Sequence, residues 1–271
     1  MSRLSFAVLL TCGIPIGVVA QEAPSAPTLI FTIHAGVAGG HSLWTVPRQP
    51  ICNTSGGTCS GSSYDTLRIA RSVGSGITAG LSVSYFPGPH LGYYGEAAFV
   101  GLSLDDVCSG VYFAGGPGSV NDVLCQAVTG TSITMGAVSF LGGVTLRAGS
   151  LSGVSPYAVL GGGLLAFSQS TLDMSGEVIV TGSGPERLSI VVDNSPARVS
   201  PVATLGVGLR VRSGAGYGVR LGIEDLVAKF QRLQGPVNAL GQGPVTSKFY
   251  HHVVVRLGLD VVLERKRGRR Y

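Results

Sequence analysis

Seven charged residues lie on the minority face of stretches that are otherwise apolar: Glu96, Arg147, Arg210, Arg220, Glu224, Arg256 and Asp260. The stretch around Arg210 shows the pattern. Ala203, Leu205, Val207, Leu209 and Val211 share one parity, and Thr204, Gly206, Gly208 and Arg210 share the other. Period-two alternation of this kind is a strand whose two faces meet different surroundings. Charges on the small, polar face must pair, because a buried ion without a partner is costly. Such a set can plug an interior as an ion network, or it can line a narrow polar path.

A second candidate is Asp105-Asp106 with His251-His252, since a carboxylate beside an imidazole can activate water or a hydroxyl. Adjacent strand residues point to opposite faces, so only one member of each pair could serve. Neither pair belongs to a recognisable catalytic motif, and GxSxG, Walker, HExxH and strand-linked GxGxxG patterns are absent. Gly161-Gly162-Gly163 reads as close packing rather than a phosphate cradle. No enzyme activity, metal or cofactor is expected.

The first 20 residues have the layout of a secretory leader: Arg3, an apolar run from Leu4 to Val19, and small residues up to Ala20. Beyond it stand Cys52, Cys59, Cys108 and Cys125. An even set in a secreted chain favours disulfides over metal ligands. Three pairings are open, of which Cys52–Cys59 with Cys108–Cys125 is the economical one, since each bridge closes one loop.

These residues need elements to hold them, and composition narrows the choice. Charged residues make up only 12% of the chain and glycines number 42. No apolar run of about 18 residues follows the leader, which excludes a membrane helix. The net charge of +5 sits in the tail 264–271 and in Arg3, leaving the body near neutral. A nucleic-acid partner is therefore not expected.

Eight strands are predicted, at 28–44, 67–86, 93–107, 126–148, 157–172, 199–213, 217–230 and 248–263. Connections alternate between long (45–66, 108–125, 173–198, 231–247) and short (87–92, 149–156, 214–216). Tyr85, Phe86, Tyr93, Tyr94, Tyr157 and Tyr217 flank the short turns, while Trp44, Phe230, Phe249 and Tyr250 lie at the opposite ends. Two aromatic girdles at lipid–water boundaries are the expectation. The apolar parity changes between Ala137 and Val144, which predicts a bulge or a misplaced boundary. Asp225 falls on the apolar parity, which places it near an outer interface or beside a bulge. Apolar pieces at 178–181 and 188–192 predict a projecting hairpin.

Leader, alternating strands, long loops opposite short turns and aromatic strand ends resemble the small outer-membrane barrels of the OmpA-like and opacity-protein kind. The resemblance covers about 28–263 and rests on pattern. It implies an all-β fold, an eight-stranded antiparallel transmembrane β-barrel, with outer-membrane lipid and the barrel-assembly machinery as partners. Localisation would be the bacterial outer membrane, reached by the secretory pathway. One departure is that Tyr271 follows a basic tail instead of ending a strand. The organisation expected is a leader at 1–20, a linker at 21–27, the barrel at 28–263 and a tail at 264–271 that could touch cell-wall polymers. The expected role is structural or surface-interacting. Its rivals are a narrow or gated pore, a loop-end enzyme of the protease or lipid-modifying kind, and a soluble lipocalin-like barrel.

Overall fold

In a computed structural model of the chain the described residues are 27–52, 64–113, 118–129, 132–148, 153–180, 184–213, 216–238 and 240–264. The leader, nearly all of the linker, Cys59 and the tail after Glu264 lie outside them. The elements are β1 (Thr28–Ala38), β2 (His41–Cys52), β3 (Tyr64–Val73), β4 (Gly76–Phe86), β5 (Leu91–Tyr112), α1 (Val120–Thr129), β6 (Ser132–Arg147), β7 (Gly153–Phe167), β8 (Met174–Val180), β9 (Gly184–Val191), β10 (Val199–Ser213), β11 (Tyr217–Leu233) and β12 (Val245–Glu264).

Eight strands close a ring of antiparallel pairings in the order β1, β4, β5, β6, β7, β10, β11, β12 and back to β1. The seam is the pairing of Thr28–Ala38 with 254–264. Closure gives each ring strand two hydrogen-bonded neighbours and leaves no edge. The outward parity is apolar and exposed: Phe31 and Ile33 on β1, Leu205 and Val207 on β10, Leu257 and Leu259 on β12. Water would penalise so continuous an apolar wall, and lipid is the solvent that fits it. The chain is an eight-stranded membrane barrel, with its short connections at one end.

Four sequence expectations need correction. The first strand does not run unbroken through 28–44, and 45–66 is not a plain loop. After β1 the chain breaks at Gly39-Gly40, and β2 and β3 form a hairpin that continues outward before β4 resumes the ring. β5 extends to Tyr112 and pairs with both β4 and β3. The break falls on glycines because a Cβ at Gly40 would lie 2.2 Å from the carbonyl oxygen of Val73. Any other residue there would push the two strands apart.

The second correction concerns 126–148, where the strand begins only at Ser132 and the preceding turns are helix α1. Ser119 caps the helix, with Asp122 N donating to its Oγ at 3.4 Å and Val123 N to its carbonyl at 3.0 Å. α1 buries Asn121, Leu124, Cys125 and Val128, one helical stripe. Third, β6 pairs with β5 and β7 without a register shift, so no bulge explains its change of parity. Met135, Ala137 and Leu141 point inward into an apolar part of the lumen, and both faces therefore read as apolar.

Fourth, the aromatics do not form two complete girdles. Tyr85, Tyr93, Tyr217 and Phe249 face outward. Phe86, Tyr157, Trp44, Phe230 and Tyr250 are buried on the inward face, because strand parity overrides position along the strand. The hairpin expected in 173–198 is present as β8–β9. Asp225 sits on an unbroken register, paired outward with His251 at 2.6 Å.

The disulfide Cys108–Cys125 is formed and ties α1 to the outer end of β5, across 17 residues of sequence. The pairing expected of Cys52 falls on Cys59, which lies outside the described residues. Reducing Cys108–Cys125 should remove about 3 kcal/mol from the outer layer. Hydrogen exchange should then rise across α1 while the barrel keeps its unheated gel mobility.

Candidate functional site

All seven inward charges named above are buried. Their side chains come from β5, β6, β10, β11 and β12, and inward parity sends them into one lumen. Arg256 Nη1 lies 2.7 Å from Glu96 Oε1 and 2.9 Å from Glu224 Oε2, joining three strands through one atom. Arg210 pairs with Asp260, whose other oxygen accepts a 2.6 Å hydrogen bond from Thr32 Oγ1. Arg147 stands apart at the short-turn mouth, where Nε and Nη2 donate to the Pro89 carbonyl at 3.0 and 2.7 Å. Its guanidinium also lies over Phe86 at 4.3 Å. Arg220 reaches Ser82 Oγ at 3.5 Å and stands 5.6 Å from the Tyr157 ring.

Toward the opposite end the lumen changes character. Val100, Leu102, Leu141, Leu165, Val202, Leu226 and Val254 fill it from the ring strands. The same apolar cluster continues without a break into Trp44 and Val46 of β2, Leu67 and Ile69 of β3, Leu124 of α1 and Met174 of β8. The β2–β3 hairpin leans over the inward-facing side of β11 and β12. His41 stacks on Tyr250 at 4.6 Å and meets His252 edge-on at 4.4 Å, and Tyr250 Oη donates to the Leu43 carbonyl. Burial in that cage lowers the pKa of His41 from its ordinary value.

Two polar clamps fix this cap. Gln49 is fully buried and binds the backbone of Val237 in both senses, Nε2 to its carbonyl at 2.9 Å and Oε1 from its N–H at 2.7 Å. Arg71 binds Asp106 through Nε and Nη2 at 2.6 and 2.7 Å. It also donates to the Thr171 carbonyl at 3.0 Å and to that of Asp173. Cap, ring and the 168–173 segment are therefore held by one buried guanidinium.

The acid and imidazole pairs are not assembled into one site. Asp106 is bound to Arg71, and Asp105 accepts from Ser132 Oγ at 3.1 Å on the outer side. His252 belongs to the cage of His41, and His251 points outward to Asp225. Gly161 is a close-packing position: a Cβ there would lie 2.2 Å from the hydroxyl of Tyr94. Thr32, His34 and Ser82 line the lumen and were not singled out in the sequence, and Tyr157, expected in a girdle, lines it with them. Inward parity on β1, beside Thr32, is the signal that marks His34.

No family model matches the chain, and no curated protein matches it. Among solved structures it is similar to the outer membrane protein OprG from Pseudomonas aeruginosa, at 12% identity, over 89% of this chain and 98% of that one, with a TM-score of 0.49. It is also similar to Neisserial surface protein A, at 12% identity, 89% and 99% coverage and a TM-score of 0.36. A third is Ail, the attachment invasion locus protein of Yersinia pestis, at 12% identity, 88% and 99% coverage and a TM-score of 0.37. The barrel itself is established by the closed ring of pairings.

Proposed function

We propose that this outer-membrane barrel is a non-conducting, non-catalytic anchor that holds a folded layer at the cell surface. The observation that carries this reading is the apolar cluster running unbroken from the upper lumen into the β2–β3 hairpin, α1 and β8. Ions crossing the barrel would have to displace Leu141, Leu165, Leu226 and Phe230, each 5% exposed or less. Burial of these side chains supports a lumen closed to water at that level. The polar half of the lumen favours a pore instead, but Arg256 bridges β5, β11 and β12 across it.

Purified protein in planar bilayers should therefore show no unitary conductance at any voltage. Intact cells should expose 184–189 and 192–198 to added protease or label. Steady conductance that changes with Arg256→Ala would move the assignment to a narrow pore.

A further inference from the structure

The β2–β3 hairpin meets the last two ring strands through aromatic rings, and two of those rings can take up a proton. His41, the first residue of β2, stacks on Tyr250 at 4.6 Å, meets His252 edge-on at 4.4 Å and lies 6.2 Å from the Phe230 ring. Phe230 closes the cage, 5.3 Å from His252 and 5.2 Å from Phe167 of β7. Both ring nitrogens of His41 are buried without a hydrogen-bond partner among the described residues.

The groups around this cage are neutral or cationic. From β12 come Tyr250 and Lys248, whose ammonium stands 5.7 Å from the Tyr250 ring. From β11 comes Arg232, two residues beyond Phe230 and so on the same face. In the hairpin itself Arg71 stands 5.9 Å from the Trp44 ring, and Asp106 of β5 answers its charge. Asp225 of β11 lies on the outer side of the wall and is held there by His251. Protonating His41 or His252 would thus set a cation against a second imidazole and beside Lys248, with no free anion on the inner face to answer it.

We propose that this cage is an acid-released latch: the His41 end of the hairpin closes the top of the lumen while His41 and His252 are neutral, and it separates from β11 and β12 when they are protonated. The hairpin can yield at this end because regular strand structure breaks beside it, at Gly39-Gly40 and at Gly74. Its far end stays in place through the neutral Gln49–Val237 clamp, and β3 stays on β5 through its ladder and the Arg71–Asp106 pair. Burial lowers the pKa of His41, so the ring is harder to protonate docked than free. A contact of that sign is at full strength above about pH 6.5, the ordinary imidazole value, and weakens below it by up to about tenfold per pH unit for each ring. The latch rests on the reading of a lumen closed by the apolar cluster, and it adds the condition under which that closure is lost.

Emission of Trp44, the one tryptophan in the chain, tests this in the intact barrel in detergent. Between about pH 7.5 and about pH 5 it should shift reversibly to the red as water reaches the buried ring. SDS-gel mobility should still differ between unheated and boiled protein over that range. His41→Phe keeps an aromatic ring without the proton and should hold the emission constant. His251→Gln, on the exposed outer side, should leave the shift unchanged. Hydrogen exchange of the unsubstituted protein, corrected for the intrinsic effect of pH, should rise across 41–46, a readout that needs no variant. Emission and exchange that ignore pH, or a shift retained in His41→Phe, would overturn the latch, and so would a shift that comes only with loss of the gel difference. Conductance already present at about pH 7.5 would count against the closed lumen instead, whatever Trp44 reports.

Discussion

Arg256→Ala should destabilise the barrel by about 3–5 kcal/mol, the scale expected when one member of a buried ion pair is removed. Its Nη1 is the single atom between Glu96 and Glu224. Truncation leaves two carboxylates facing each other in a closed lumen, and neither has another arginine within ion-pair distance among the described residues. Urea unfolding in detergent should show the loss as a lower midpoint with little change in slope. Adding Glu96→Gln and Glu224→Gln should return most of the stability, since amides tolerate each other where carboxylates do not. Failure of that triple variant to recover would mean that Arg256 acts through packing and not through charge.

Arg71→Ala should have an effect of similar size, about 3–5 kcal/mol, but confined to the layer above the ring. Arg71 satisfies Asp106 twice and two backbone carbonyls besides. Without it Asp106, 3% exposed, is a buried charge with no counterion, and the 168–173 segment loses its attachment to β3. Hydrogen exchange and limited proteolysis should rise across β3 and 168–173. The closed ring, with every strand paired on both sides, should still migrate differently in SDS gels before and after boiling, a heat-dependent gel shift. Arg71→Lys should not rescue, because one ammonium cannot serve a bidentate carboxylate and two carbonyls together. A variant that loses the gel shift would show that layer and ring fold as one unit.

The ring was legible in the sequence because lipid and lumen impose opposite demands on alternate residues. Ala203 to Val211 carries that demand in every position, and β10 occupies 199–213 as expected. The inward charges were legible for the same reason. Where the lumen itself becomes apolar the contrast vanishes, and β6 reads as irregular although its register is unbroken. Helix α1 was hidden because it straddles the expected boundary, with Leu124 and Cys125 read into the connection 108–125 and Val128 into the strand from 126. Its stripe at helical spacing was present but short. Phe230 and Tyr250 were placed on the right strands and wrongly across them, since position near a strand end does not decide the face, and Trp44 belongs to β2 instead of ending the first ring strand.

The cap and the ring share a strand path through Gly39-Gly40, and this imposes an order on assembly. His41 and Leu43 belong to the first hairpin of the chain, whereas Phe230, Tyr250 and His252, which receive them, belong to the last two strands. The His41 cage can form only once β11 and β12 are in place, whereas β3 already meets β5 through its strand pairing and the Arg71–Asp106 pair. That cage is therefore the contact of the hairpin completed last, with the closing strands of the ring. Trp44, the one tryptophan in the chain and 3% exposed in that hairpin, reports by its emission whether the apolar layer above the ring has closed.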